Sequence, residues 1–126
     1  MKKELSTTNA PAAIGPYSQG VDVNGHVFVS GQLPIDPATG ETAKGGIKGQ
    51  TEQIFKNITA IFKEADMTLD NVVKTTVFLA DINDFAEMNE VYATQFSGVF
   101  PARSAFAVKT LPKDAEIEIE VIAMRK

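Results

Sequence analysis

Few side chains in this 126-residue sequence are equipped for a reaction, and arginine stands out among them because there are only two, Arg103 and Arg125. Arg103 lies in the run Phe100-Pro101-Ala102-Arg103-Ser104-Ala105-Phe106. If that run is extended, Arg103 shares one face with Ala105 and Ala107, and these small neighbours leave space around the guanidinium. A planar fork with room around it can grip a carboxylate through two parallel hydrogen bonds. A surface arginine at a strand edge is the plainer alternative, and the pattern alone leaves both open. Arg125 reads as solvated.

Carboxylates are the second resource. Glu116, Glu118 and Glu120 alternate with Ile117, Ile119 and Val121, which puts three acids on one face of a strand. A solvated sheet face explains such a pattern. If the face instead met another subunit, the acids would need partners, and one of them could pair with Arg103 or serve in a site. Tyr17 follows a loop, Asn9 to Pro16, stiffened by Pro11 and Pro16. Such a loop can hold a phenol over a pocket mouth or simply pack it. Ser30-Gly31, at a strand end, offers a hydroxyl and a backbone N–H, or a turn.

The absences narrow the chemistry further. There is one histidine, His26, and no cysteine. Disulfides, thiolate catalysis and a zinc-type ligand cluster are therefore not expected, and no metal or cofactor is implied. His26 directly follows Asn24-Gly25 and reads as a hairpin-edge residue. Gly40, Gly45 and Gly46 precede no lysine in the phosphate-loop register. A Ser-His-Asp triad would have to recruit His26, and no nucleophile elbow is near it. The net charge of -4 and pI of about 4.9 argue against a nucleic-acid partner, which needs a basic face, and against an anionic membrane surface. No apolar run approaches the roughly 20 residues of a bilayer span. Met1-Lys2-Lys3-Glu4-Leu5 leads into polar residues instead of an apolar signal region, so a cytoplasmic location is expected.

The elements that must position these residues can be read from periodicity. Length and composition fit one domain over residues 1–126. Val21-Asp22-Val23 and His26-Val27-Phe28-Val29 flank Asn24-Gly25, a two-residue hairpin signal. From Ile47 through Ala65 the apolar residues fall on one helical face together with Thr51, while Gln50, Gln53, Lys56, Asn57 and Lys63 are assigned to the other. Val72 to Leu79 is rich in β-branched residues and reads as a buried strand. Asp81 or Asn83 can cap a second helix with the stripe Phe85, Met88, Tyr92 and Phe96. Strands are expected over residues 103–108 and 116–123. Two strand–helix–strand crossovers imply parallel pairing, with both helices on one side of a mixed sheet and the other side left for a partner, for which an identical subunit is suited.

Taken together, Ala12-Ala13-Ile14-Gly15-Pro16-Tyr17-Ser18-Gln19-Gly20, Ser30-Gly31-Gln32, Lys74-Thr75-Thr76-Val77-Phe78, Asn89-Glu90-Val91-Tyr92, Pro101-Ala102-Arg103-Ser104 and Ile117-Glu118-Ile119-Glu120 closely resemble the Rid (YjgF/YER057c) family of reactive intermediate deaminases, in particular its RidA branch. The resemblance spans essentially the whole chain. It implies an α+β, chorismate-mutase-like mixed sheet with two helices on one face, a final strand inserted into the sheet interior, and a homotrimer with sites between subunits. It also implies hydrolysis of 2-imino acids and enamines, such as 2-iminopropanoate and 2-iminobutanoate, to 2-keto acids and ammonia. The resemblance further implies that no metal or cofactor takes part and that pyridoxal-phosphate dehydratases supply the substrate. Family roles fall on Tyr17, Ser30, Gly31, Asn89, Arg103 and Glu118. Where the family commonly carries a cysteine after Pro-Ala-Arg-Ser, this chain has Ala105, whose backbone is expected to help hold substrate and water. Two other readings stand beside it: a non-catalytic regulator binding small carboxylates, and a ribonuclease or translation inhibitor.

Overall fold

The structure, a computed structural model, describes residues 1–126. Six strands form one sheet: β1 (Lys2–Leu5), β2 (Gly20–Val23), β3 (His26–Gln32), β4 (Val72–Leu79), β5 (Ala102–Ala107) and β6 (Ile117–Met124). Two helices accompany them, α1 (Gly46–Lys63) and α2 (Phe85–Thr94). The spatial order is β1-β2-β3-β6-β4-β5. No helix is long and apolar enough to cross a membrane.

The β2–β3 hairpin turns on Asn24 (φ 52°) and Gly25 (φ 84°), the two positive-φ residues that a tight reversal between twisted strands requires. In α1 the apolar stripe becomes the centre of the core. Ile54, Phe55, Ile58, Ile61 and Phe62 are fully buried against Val27, Val77, Leu79, Ile117, Ile119 and Val121 of the sheet. Thr51 joins them by donating its hydroxyl proton to Ile47 O (2.7 Å). The opposite sheet face has no such cover. It carries Phe28, Phe106 and Met124, each more than two-fifths exposed, together with Phe78, Glu118 and Glu120.

Several expectations are corrected. Gln50 and Asn57 are buried, not solvent-facing. Gln50 Oε1 accepts from Glu116 N–H, and Asn57 Nδ2 donates to Leu33 O and Ile35 O, so both side chains have specific partners. Parallel pairing holds for only one crossover: β4 pairs β5 from Lys74↔Ala102 to Leu79↔Ala107. In the other, β6 lies between β3 and β4, antiparallel to both, as the family resemblance implies. Its residues Ile117, Ile119, Val121 and Ala123 are at most 2% exposed, and a strand so buried needs neighbours on both sides. β1 is not predicted by the hydrophobic periodicity. It pairs β2 at the sheet edge, and its exposed Lys2, Lys3 and Glu4 give no apolar alternation to detect. Arg125 is not solvated freely either: it pairs with Asp22 (3.2 Å) and donates to Ala65 O, tying the hairpin to the end of α1.

Candidate functional site

Arg103 stands on the edge strand β5 in register with Thr75 of β4. Thr75 is fully buried on the helix-covered face, so Arg103 emerges on that side, beside α2. Three residues of α2 receive it. Asn89 Oδ1 accepts a hydrogen bond from Arg103 Nη1 at 2.6 Å. The guanidinium carbon lies 4.6 Å from the centre of the Tyr92 ring and 5.3 Å from that of Phe85. Phe85, Asn89 and Tyr92 are four and three residues apart, which aligns them along one helix face. A guanidinium has five N–H donors. Asn89 is its only hydrogen-bond partner here, so the rest of the fork is available to an incoming anion. Ala105, in register with Val77, follows Arg103 on the same face and contributes to the core margin without crowding it.

A second group of residues lies on the other face. Glu118 is in register with Phe78, whose ring packs edge-on against Phe106 at 5.4 Å on the side away from the helices. The Glu118 carboxyl rests on Gly31. A Cβ at Gly31 would stand only 2.0 Å from Glu118 Oε2, so the carboxyl fills the space that a side chain there would take. The irregularity between Val29 and Gln32 in the β3–β6 ladder lies at Ser30-Gly31 and brings that backbone beneath the acid. Partial burial, and then the neighbouring charge of Glu120, push the Glu118 carboxyl above the usual carboxylate range.

Ser30 ties this region to the proline loop. Its hydroxyl donates to Ser18 O (2.6 Å), and its N–H donates to Gln19 O (2.9 Å). The buried Gln19 side chain completes the tie: Oε1 accepts from Thr7 N–H (2.7 Å), and Nε2 donates to Thr7 O, Ala10 O and Pro11 O. Tyr17, half exposed, sits on this anchored loop between two clefts. One cleft contains Gly31, Gln32 and Ile14; the other contains Ser30, Phe28 and Glu120.

The structure thus places the expected residues in two groups: Arg103, Asn89 and Ala105 at the β5–α2 edge, and Tyr17, Ser30, Gly31 and Glu118 at the uncovered face and the proline loop. It does not bring the groups together within one chain. The ion pairs are Lys48–Glu90 and Arg125–Asp22, so none of the three strand glutamates pairs with Arg103. Nothing in the sequence alone assigns Tyr92, Phe85 or Gln19 a site role. In the sequence Phe85 and Tyr92 belong to an apolar stripe, and their spacing around Asn89 is the signal that links them to the arginine.

The family model described as Endoribonuclease L-PSP matches residues 7–125. The 2-iminobutanoate/2-iminopropanoate deaminase of Salmonella typhimurium is 49% identical over the full length of both chains. A Yersinia pestis protein of the conserved Rid family, of unknown function, superposes with a TM-score of 0.95 at 48% identity, covering 99% of this chain and all of that one. The Escherichia coli protein TdcF, crystallised with bound serine, superposes with a TM-score of 0.94 at 44% identity over 98% of this chain and 99% of its own. With likeness of this extent in sequence and in fold, the chain belongs to the Rid (YjgF) family, the family of that L-PSP model.

Proposed function

We propose that this protein is a 2-iminobutanoate/2-iminopropanoate deaminase, which converts reactive 2-imino acids and their enamine tautomers to 2-keto acids and ammonia. One observation carries the reading: an arginine fork, oriented by Asn89 and two aromatic rings, keeps donors free at an edge where a small carboxylate can reach them. Relatives named for this activity, about half identical over the whole chain, support the choice of reaction.

In the proposed mechanism Arg103 holds the substrate carboxylate through two hydrogen bonds and so fixes the adjacent C=N carbon. Glu118, in its ionised form, takes a proton from water as the water oxygen bonds to that carbon. The C=N π pair moves to nitrogen and gives a tetrahedral carbinolamine. Glu118 returns the proton to nitrogen, completing the neutral carbinolamine; it then takes the hydroxyl proton and passes it to the same nitrogen as the C–N bond breaks, so that ammonia leaves and the keto group forms. The balance is one imino acid and one water in, one keto acid and one ammonia out. Ser30, the Gly31 backbone and the Ala105 backbone line the path of water and substrate, and Tyr17 and Asn89 close it. The imine carbon is already electrophilic, so the chemistry asks for no metal or cofactor.

Arg103 and Glu118 lie on opposite sheet faces, so in this reading a site combines Arg103 of one subunit with Glu118 and Tyr17 of the next. A cyclic homotrimer supplies three such sites. Pyridoxal-phosphate-dependent dehydratases in the cytoplasm release the imines that it consumes. A regulatory reading, in which the same fork senses small carboxylic acids without turnover, draws on the bound serine of TdcF. The two separate in one assay. A threonine dehydratase generates 2-iminobutanoate, and 2-ketobutyrate formation is followed with and without this protein. Acceleration that disappears in Arg103→Ala is expected. Binding of carboxylates without acceleration, for several amino-acid precursors, would establish the sensor instead.

A further inference from the structure

An arginine on an edge strand does not hold one orientation by default. Its long side chain carries about 2 kcal/mol of rotamer entropy, and one hydrogen bond, from Nη1 to Asn89, leaves the fork free to swing about that contact. The second constraint comes from Tyr92. Its ring lies 4.6 Å from the guanidinium carbon, within cation–π range. Tyr92 is itself unable to move: it is 4% exposed, lies edge-on to Phe55 at 5.8 Å and tilted against Phe96 at 5.0 Å. Its hydroxyl shares a 2.8 Å hydrogen bond with the buried hydroxyl of Thr75. Thr75 is the residue in register with Arg103 on the adjacent strand. The phenol oxygen is therefore tied to one member of a cross-strand pair while the ring face supports the other.

We propose that Tyr92, tethered by Thr75, is a positioning residue that fixes the plane of the Arg103 guanidinium and thereby sets the affinity for the substrate carboxylate. This rests on Arg103 being the carboxylate clamp of the proposed deaminase. Phe85, at 5.3 Å, is the outer and more exposed of the two supports, so Tyr92 carries the larger share.

The test compares Tyr92→Met, Tyr92→Phe, Phe96→Leu and Arg103→Ala. Methionine fills core space adaptably but has no ring face. The readouts are KM and kcat for 2-iminobutanoate generated in situ, and the dissociation constant of 2-ketobutyrate by titration calorimetry. Tyr92→Met is expected to raise both KM and the dissociation constant roughly 2- to 30-fold, the range of a lost cation–π contact, with a smaller effect on kcat. Tyr92→Phe keeps the ring but loses the Thr75 tether and is expected to fall between Tyr92→Met and the unmodified protein. Phe96→Leu loosens the same aromatic cluster but leaves the Tyr92 ring and its Thr75 tether in place, and is expected to change the dissociation constant far less than Tyr92→Met does. An equal loss in Phe96→Leu and Tyr92→Met would reduce Tyr92 to core packing and overturn the inference. So would unchanged affinity in Tyr92→Met when Arg103→Ala abolishes binding. If 2-ketobutyrate binds Arg103→Ala as well as it binds the unmodified protein, the clamp reading itself falls. A measurement that needs no variant to fold is the NMR shift of the Arg103 side-chain protons, which the stacked ring moves upfield; unshifted resonances contradict the geometry.

Discussion

Arg103 and Glu118 project from opposite faces of one sheet: Arg103 is in register with Thr75 on the helix-covered side, Glu118 with Phe78 on the other. Two strand spacings also separate them laterally, about 10 Å. No rotamer lets both reach one small substrate from the same chain, so a reaction that uses both draws on two chains.

Subunit mixing tests this directly. Arg103→Ala and Glu118→Gln are each expected to be inactive alone. Co-refolded in equal amounts, they should regain about a quarter of wild-type activity, because random assembly places an intact arginine opposite an intact glutamate at that share of interfaces. No recovery from a properly mixed oligomer would put both residues in one subunit's site.

Arg103→Lys keeps the charge but replaces the fork with a point charge. KM for the imino acid should rise by about tenfold or more, since a hydrogen bond to a charged group is worth roughly 1.5–3 kcal/mol. Steady-state kinetics with dehydratase-generated substrate provide the check, and an unchanged KM would remove the need for bidentate recognition.

The pH profile should report Glu118. Burial, and then Glu120, raise its pKa, so the ionised base is lost at a higher pH than an ordinary glutamate would be, and kcat/KM falls on the acid side. Glu120→Gln removes one of the two causes and should move that acid limb to lower pH. Stability follows the same shift with a definite sign. The folded chain binds this proton more tightly than the unfolded chain, so the contribution is full below the ordinary glutamate value and is lost as pH rises through the raised one. Urea midpoints of Glu118→Gln should therefore gain on the unmodified protein between acid and neutral pH.

Gly31→Ala places a methyl group 2.0 Å from Glu118 Oε2. The acid must swing away, so activity should fall about 10²-fold or more, the usual contribution of a general base. Stability should drop far less, because the displaced group is a side-chain end. Combining Gly31→Ala with Glu118→Ala should relieve whatever destabilisation there is, a coupling that a double-mutant cycle in urea measures.

Gln19→Ala removes the side chain that binds Thr7, Ala10 and Pro11. A loss of about 1–3 kcal/mol is expected from the unsatisfied groups left behind. Hydrogen exchange at Thr7 N–H should accelerate selectively, and KM should rise as the loop carrying Tyr17 loses its anchor.

Much of this architecture was legible because it is local. Asn24-Gly25 dictated its hairpin by backbone conformation alone, and the α1 stripe marked the core face by spacing. What escaped depends on partners distant in sequence. Asn57 looks solvent-facing until its bonds to Leu33 O and Ile35 O are seen, and three charged residues hid β1. The Glu118 alternation described a strand but not its central place, which came from family resemblance. The candidate site residues came from the same resemblance, whereas their division between two sheet faces required the strand register. The spacing marks Tyr92 as core, yet nothing local says that one face of its ring lies under an arginine from a strand ten residues further along.

The position of β6 also governs how the molecule is made. Residues 117–124 are the last of the six strands to be synthesised, yet they form the joint between the β1-β2-β3 ribbon and the β4-β5 pair. Until they arrive, β3 and β4 each present an open apolar edge, and a nascent or truncated chain ending before residue 117 has two half-sheets with no strand pairing between them. Such long-range closure is slow and exposes sticky edges in the meantime. Damage to a short stretch near the C-terminus should consequently cause aggregation during biosynthesis more than a gradual decline in catalytic rate.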